Sequence, residues 1–303
     1  MNKSQNKTLI VISGPTAVGK TTFSVELAKR LKCQVISADS RQFFKEMKIG
    51  TARPSEEELQ GVPHHFLGFL SVQDYYSAGM FELDVLRLLE RLFKVNDYVI
   101  MVGGSGLYIQ AVCQGMNEIP DVDLSFREQL YQELAISGLD PLVAELERKD
   151  PKYAQLTDLK NTQRVIRALE VIRATGQCYS SFRNDQPVNR PFNIIKLGIE
   201  RNREELYERI NLRVDQMISQ GLFEEAKTLY TYKHLNSLLT VGYKEIFAYL
   251  DGNYSKEDAI RVLKRNSRRY AKRQITWFKK DAETKWFHPD HVEQAIQYIN
   301  YQN

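Results

Sequence analysis

The stretch Gly14-Pro15-Thr16-Ala17-Val18-Gly19-Lys20-Thr21 constrains this chain more than any other. It fits G-x-x-x-x-G-K-[ST] and lies between an apolar β-type run, Leu9 to Ile12, and an amphipathic helical pattern, the order such a loop requires. Its glycines let backbone N–H groups curl around phosphate oxygens at a helix N-terminus, Lys20 adds a positive charge, and the Thr21 hydroxyl can ligate magnesium. A P-loop of this kind implies a diphosphate ligand but says little about the reaction.

The first half of the chain alternates β-type runs with helical patterns: Thr8 to Ser13, a helix from Lys20 to Lys32, Gln34 to Ala38, a helix from Glu82 to Lys94, and Tyr98 to Val102. That alternation predicts a parallel sheet covered by helices on both faces. Between Pro120 and Pro191 the texture changes to helices. Ser125-Phe126-Arg127-Glu128 reads as a capping box, and Asn161 caps a helix that runs through Val171 and stops at Gly176. Ile194 to Ile199 reads as a strand returning to the sheet. Beyond Arg201 the pattern is helical throughout, with Glu204 to Ser219 closed by Gly221 and a long helix from Lys256 capped by Ser255. The fold class is α/β: a P-loop NTPase-like core formed by residues 1–118 and 190–303, with a helical insertion domain at 119–189.

At 303 residues and 43% hydrophobic content the chain can bury the core this arrangement needs. No run of about eighteen apolar residues is present to span a bilayer, and Met1 to Lys7 is polar, unlike a secretion signal. A cytoplasmic protein without a membrane partner is expected, acting as a monomer. Cys33, Cys113 and Cys178 are odd in number and widely spaced, which fits reduced thiols better than disulfides or zinc ligands. His64 and His65 are adjacent, a spacing that seldom serves one ion, so a structural or substrate-orienting role is expected. The net charge of +4 is mild, but its distribution is not. From Ala259 to Lys280 no residue is acidic, whereas Arg261, Lys264, Arg265, Arg268, Arg269, Lys272, Arg273, Lys279 and Lys280 are basic. On a helix, Ala259, Leu263, Tyr270 and Trp277 form one stripe and Arg268, Lys272 and their basic neighbours cover the other side, a cationic face dense enough to track a phosphate backbone.

The strand Tyr98 to Val102 would end in an acidic residue in many ATPases, but here it ends in Gly103-Gly104-Ser105-Gly106, and the acid stands instead as Asp39 after Val35 to Ala38. Strand ends beside a P-loop point into the ligand crevice, which makes Asp39 and Ser105 the candidate reacting residues. No guanine-reading NKxD motif is present. Two readings of the cradle compete with the one below: a kinase that uses ATP on a small metabolite, and a non-catalytic nucleotide-gated RNA-binding protein.

Taken together, several motifs resemble the tRNA dimethylallyltransferase family, bacterial type, over nearly the whole length. They are Gly14 to Thr21, Asp39-Ser40-Arg41-Gln42, Ile49 to Pro54, Val62 to His65, Gly103 to Tyr108, Gln163 to Glu170, Gly242-Tyr243-Lys244-Glu245 and Ala271 to Trp277. The resemblance implies transfer of a prenyl group from dimethylallyl diphosphate to N6 of adenosine 37, next to the anticodon of tRNA, with release of diphosphate and with Mg2+ as cofactor. It implies Asp39 as general base and Ser105, where the family has threonine, as the hydroxyl that touches the bridging oxygen of the leaving group. Residues Gly14, Pro15, Thr16, Ala17, Val18, Gly19, Lys20 and Thr21 would bind the diphosphate, and one of Arg203, Arg209 and Arg213 would join them. It also implies tRNA contacts at Asp39, Ser40, Arg41, Gln42, Ser105, Arg127 and the run Gln163, Arg164, Val165, Ile166, Arg167, to which the basic helix adds Arg268 and Lys272. On the predicted helix Val165, Ile166, Leu169 and Ile172 share one face, and Arg164 and Arg167 fall on the other. The family's P-loop invites an ATP-binding description, although the implied reaction consumes no ATP. Asp158 to Thr162 departs from the family's histidine-proline-asparagine-aspartate pattern, and Phe43-Phe44 from its valine-tyrosine.

Overall fold

The computed structural model describes residues 7–183 and 188–302, which group into two compact units, Met1–Gly115 with Asn189–Asn303, and Met116–Val188. The first unit is built on a six-stranded sheet whose pairings are all parallel, in the order β3-β2-β4-β1-β5-β6. The strands are β1 (Thr8–Ser13), β2 (Val35–Ser37), β3 (His64–His65), β4 (Tyr98–Gly103), β5 (Asn193–Ile199) and β6 (Lys285–Phe287). Every residue of β1 is buried, as a strand covered on both faces must be. Ile10 and Ile12 pack on one face with α1 (Lys20–Leu31) and α13 (Val292–Gln302). Leu9 and Val11 pack on the other with α3 (Ala78–Leu92) and α4 (Gly106–Gln114).

The central elements fall where their patterning puts them, and the differences lie at edges and ends. β3 and β6 have two and three residues, too few to show an alternation, so the tail expected to be wholly helical contributes an edge strand. α3 begins a turn before Glu82 because the Ser77 hydroxyl accepts a hydrogen bond from Met80 N. The rest of the unit comprises α2 (Glu56–Leu59), α9 (Arg203–Ser219), α10 (Leu222–Thr228), α11 (Tyr243–Leu250) and α12 (Lys256–Phe278). Asn202 caps α9 and Ser255 caps α12, each by accepting a backbone N–H three residues on. Among the described residues no helix is long and apolar enough to cross a membrane.

One carboxylate shapes the loop after β2. Glu225 of α10 accepts the backbone N–H groups of Lys48 at 2.9 Å, Ile49 at 2.7 Å and Gly50 at 2.8 Å, together with the Tyr243 hydroxyl at 2.6 Å. Tyr243 is fully buried, and a Cβ on Gly50 would lie 2.6 Å from its ring, so only glycine lets the loop approach this closely. Glu245 caps α11 through Gly242 N at 2.8 Å and binds Asn266 of α12 at 2.7 Å. The Gly242-Tyr243-Lys244-Glu245 motif therefore serves to hold the 48–50 loop against α10, α11 and α12. Where the chain returns from the insertion, Arg190 donates to the carbonyls of Ala111 and Val112, both at 2.9 Å, and to Glu82 at 2.6 Å.

The second unit packs α5 (Leu124–Ser137), α6 (Asp140–Lys149), α7 (Pro151–Leu156) and α8 (Thr162–Thr175) around Leu130, Leu142, Leu146, Val165 and Leu169. Asp123, rather than Ser125, caps α5, its carboxylate accepting Ser125 N at 2.8 Å. Asn161 caps α8, and Gly176, with φ 72°, ends it. Two carboxylates are buried here: Asp150, which accepts Tyr153 N, Ser180 N and Ser180 Oγ, and Glu170.

Replacing Tyr243 by Phe removes one hydrogen bond to a carboxylate and should lower unfolding free energy by about 1.5–3 kcal/mol. Glu225→Ala, which unpairs three backbone N–H groups as well, should cost more. Denaturant unfolding in which the two variants lose equal stability would show that the loop does not depend on Glu225.

Candidate functional site

The sheet's central strand delivers Gly14 to Gly19 to the start of α1. Ala17 takes a left-handed φ of 63° and Gly19, the N-cap of α1, a φ of 108°. Gly19 offers no side-chain cap and the first turn carries no acid, so the orphan N–H groups and the positive end of the helix are left to an anion. The outer carbonyls of the loop are held from behind: Arg201 Nε donates to Val18 O at 3.0 Å and Arg209 Nε to Ala17 O at 2.9 Å. Lys20 Nζ donates to Gly14 O at 2.9 Å and Pro15 O at 2.7 Å. Burial draws the Lys20 ammonium down to about 7; Asp39 opposes that shift and Arg213 reinforces it. Thr21 sits partly buried in the first helical turn, where its hydroxyl suits a hard cation that keeps most of its water and substrate oxygens.

Asp39 and Ser105 follow adjacent strands, β2 and β4. Ala38 N donates to Val102 O at 2.7 Å and Ser105 N to Ala38 O at 3.3 Å, which draws the two strand ends together. A Cβ on Gly103 would stand 2.1 Å from Ala38 O, so the approach requires glycine. The Ser105 hydroxyl accepts Ser40 N at 2.9 Å and donates to Ser40 Oγ at 3.1 Å, and Asp39 Oδ1 accepts Arg41 N at 3.0 Å. The Asp39 carboxylate acts electrostatically on Lys20, Arg41, Arg213 and Tyr270. Burial holds Arg41 and Arg213 below the usual arginine range and pushes the Tyr270 hydroxyl up to about 12, with Asp39 adding to the latter shift. The arrangement sets one carboxylate and one hydroxyl beside an anion cradle, within reach of several cations.

Gln274 of α12 joins the two halves. Its Oε1 accepts Thr16 N at 2.9 Å, and its Nε2 donates to Gly104 O at 2.9 Å. The N–H of Thr16, counted above with the cradle, is therefore engaged by a side chain. Trp277, one turn further on, lies so close to Gly106 that a Cβ there would stand 2.2 Å from the indole nitrogen. Arg201 and Gln274 take part in the site without having been named as site residues, and Tyr270 was read only as part of the apolar stripe; the Ala271 to Trp277 motif is the one signal that pointed to Gln274.

The other named residues divide by what they already hold. Arg41 donates to Asn236 O and Ser237 O at 2.8 and 3.0 Å, and Gln42 to Thr51 O and Ala52 O, both at 3.2 Å, so these side chains fasten loops of the core. Of the three arginines offered to the diphosphate, Arg203 stacks over Tyr207 at the exposed start of α9, Arg209 binds the cradle and Arg213 lies toward Asp39. On α12, Arg268 donates to Asn211 Oδ1 at 2.6 Å and Lys264 pairs with Asp215 at 2.6 Å, so part of the basic face packs on α9. Arg265, Arg269, Lys272, Arg273 and Lys280 are exposed. In the insertion, Gln163 and Arg164 are exposed. Val165 and Ile166, included in the contact run, are 0% and 2% exposed and belong to the unit's core, so their side chains are shut off from any ligand. Arg127 and Arg167 both bind the buried Glu170.

This strand, loop and helix, with an acid and a hydroxyl at the neighbouring strand ends, define a P-loop protein of α/β class. The family model described as IPP transferase matches residues 42–281. A tRNA dimethylallyltransferase 1 from Bacteroides fragilis is 51% identical over 293 residues, 97% of each chain, and its counterpart from Phocaeicola vulgatus is 52% identical over 293 residues, 97% of this chain and 98% of the other. Among solved structures, a full-length tRNA isopentenylpyrophosphate transferase from Bacillus halodurans superposes with a TM-score of 0.72 at 40% identity, covering 98% of this chain and 96% of that one. A eukaryotic dimethylallyltransferase acting on tRNA gives 0.72 at 30% identity, covering 89% and 69%. The chain belongs to the IPP transferase family, and it is a prenyl-transferring enzyme.

The Lys20 environment gives a pH signature. The unfolded chain holds this proton up to about 10.5 and the folded one only to about 7, so this group's contribution to stability rises with pH between those values and is flat below them. A diphosphate restores the cation, so its binding at pH 8 should take up close to one proton. Calorimetry with inorganic diphosphate in buffers of different ionisation enthalpy checks this; the uptake should vanish in Lys20→Met.

Proposed function

We propose that the protein is a tRNA dimethylallyltransferase, which moves the prenyl group of dimethylallyl diphosphate to N6 of adenosine 37 of tRNA. The observation that carries this reading is the meeting of Asp39 and Ser105, linked through Ser40, at strand ends beside the Gly14 to Thr21 cradle. The family's relatives supply the substrate class.

In this mechanism the diphosphate is held by the first-turn N–H groups of α1 and by Lys20, with Arg213 nearby. When Mg2+ is bound, with Thr21 as its protein ligand, it stabilises negative charge on the diphosphate. The allylic C–O bond breaks, and its electron pair stays on the diphosphate oxygen; the Ser105 hydroxyl, turned from Ser40 Oγ, donates its hydrogen bond to that bridging position while still accepting Ser40 N. The N6 lone pair forms the new C–N bond, and the N6 proton passes to Asp39 as general base. An adenine reaches this crevice only by leaving its stack, so the anticodon loop must be gripped on either side of the flipped nucleotide. The exposed cations of α12 and Arg164 of the insertion, with the Arg127 and Arg167 pair, are suited to its phosphates. The protein works in the cytoplasm as a monomer in this reading.

Incubation with tRNA and radiolabelled dimethylallyl diphosphate, without ATP, is the direct test. Label in tRNA excludes a kinase and a non-catalytic RNA-binding role; a strict need for ATP would sink the proposal. Asp39→Asn keeps size and removes the base, and should lower kcat by about 10² or more with near-normal tRNA binding. Equal losses in binding and rate would make Asp39 a structural residue. Lys272→Gln should flatten the slope of log affinity against log salt by up to about 0.9 and leave the KM for the prenyl donor unchanged. A tRNA affinity indifferent to this change would reduce that stretch of α12 to solvated surface.

A further inference from the structure

Glu170 is fully buried on α8, in a small helical unit whose other core residues are apolar apart from Asp150. A buried carboxylate costs several kcal/mol in desolvation unless well paired, and a leucine of similar size would serve packing alone. Here the charge is covered by two arginines from different helices. Arg127 of α5 grips it in a fork, Nε on Oε2 at 2.5 Å and Nη2 on Oε1 at 2.8 Å, and Arg167, one turn back on α8, donates Nη1 to Oε1. Each arginine keeps part of its side chain at the surface, 29% for Arg127 and 34% for Arg167. The Asp150 carboxylate differs: its partners are backbone and hydroxyl groups of its own turn and of residue 180, a purely local capping arrangement.

Two guanidiniums bound to one carboxylate are held in one orientation. Arginine loses about as much rotamer freedom as any side chain when it is fixed at an interface, so two that are fixed beforehand bind an anion with less ordering cost. We propose that Glu170 is a positioning residue for polynucleotide binding: from beneath the surface it fixes Arg127 and Arg167 as a preset pair for a phosphodiester of the substrate. This rests on the tRNA reading above, and the residue touches neither substrate nor reacting atoms.

The sign of one substitution separates this role from simple charge. Glu170→Gln keeps the shape and raises the local charge by one. If the arginines act as independent cations, affinity for tRNA should rise. If Glu170 positions them, the KM for tRNA should increase by about tenfold, the scale of reordering two long side chains, with kcat and the KM for dimethylallyl diphosphate unchanged. Circular dichroism and thermal melting verify the fold. A second comparison stands if this variant does not fold: adding Glu170→Gln to an Arg127→Gln/Arg167→Gln double variant should leave its KM for tRNA unaltered, because Glu170 acts only through those arginines. An unchanged or lowered KM for tRNA in Glu170→Gln overturns the inference, as does a further rise in the triple variant or a parallel loss in kcat and donor KM. Wild-type enzyme that prenylates no tRNA would overturn the reading beneath it as well. An active wild type with an indifferent Glu170→Gln defeats this inference alone.

Discussion

The spacing between the two loops of the site depends on one amide. Gln274 reaches down from α12, takes the N–H of Thr16 with its oxygen and gives its own N–H to Gly104. An amide accepts with its oxygen and donates with its nitrogen, so one neutral side chain bonds a backbone N–H and a backbone carbonyl at the same time. Because Gln274 is buried, neither bond has water as an alternative, and loss of the amide would leave a donor and an acceptor unpaired at once. The anion cradle and the loop carrying Ser105 are thus held at a common distance by a helix whose outer surface is cationic. The same helix that carries the basic face therefore keeps the cradle and the Ser105 loop in register.

Carboxylates do comparable work elsewhere. Glu225 gathers three consecutive backbone N–H groups, Glu245 ties α11 to α12, and Asp150 closes a turn. Each places negative charge where backbone or amide N–H groups would otherwise go unsatisfied, and hydrogen bonds to an ionised acceptor are stronger than neutral ones. Loops that lack regular structure gain a fixed shape in this way without a larger apolar core.

The features legible in the sequence were those that depend on neighbours along the chain. The cradle, the buried central strand, the caps at Asn161 and Ser255, and the change to helices in the insertion all follow from local spacing and residue type. The contacts hidden from it are made across the fold. Gln274 and Thr16 are 258 positions apart, and Arg127 and Glu170 are 43 apart, so no periodicity announces either pairing. For the same reason the carbonyls that Arg41 and Gln42 hold across the fold were not legible in the sequence. Val165 and Ile166 are a different case: the helical pattern already puts them on an apolar face, and the fold buries their side chains in the core of the insertion.

The insertion leaves the first unit after α4 and re-enters it next to Arg190, whose guanidinium fastens the returning chain to the last turn of α4 and to Glu82. Departure and return are therefore pinned to each other by the sheet-bearing unit itself, whatever lies between them. A chain organised in this way can lengthen, shorten or rewrite its helical excursion without shifting the register of a single strand. The excursion is thereby free to diverge among descendants of one frame, and chimaeras cut at this junction should be natural starting points for exchanging it.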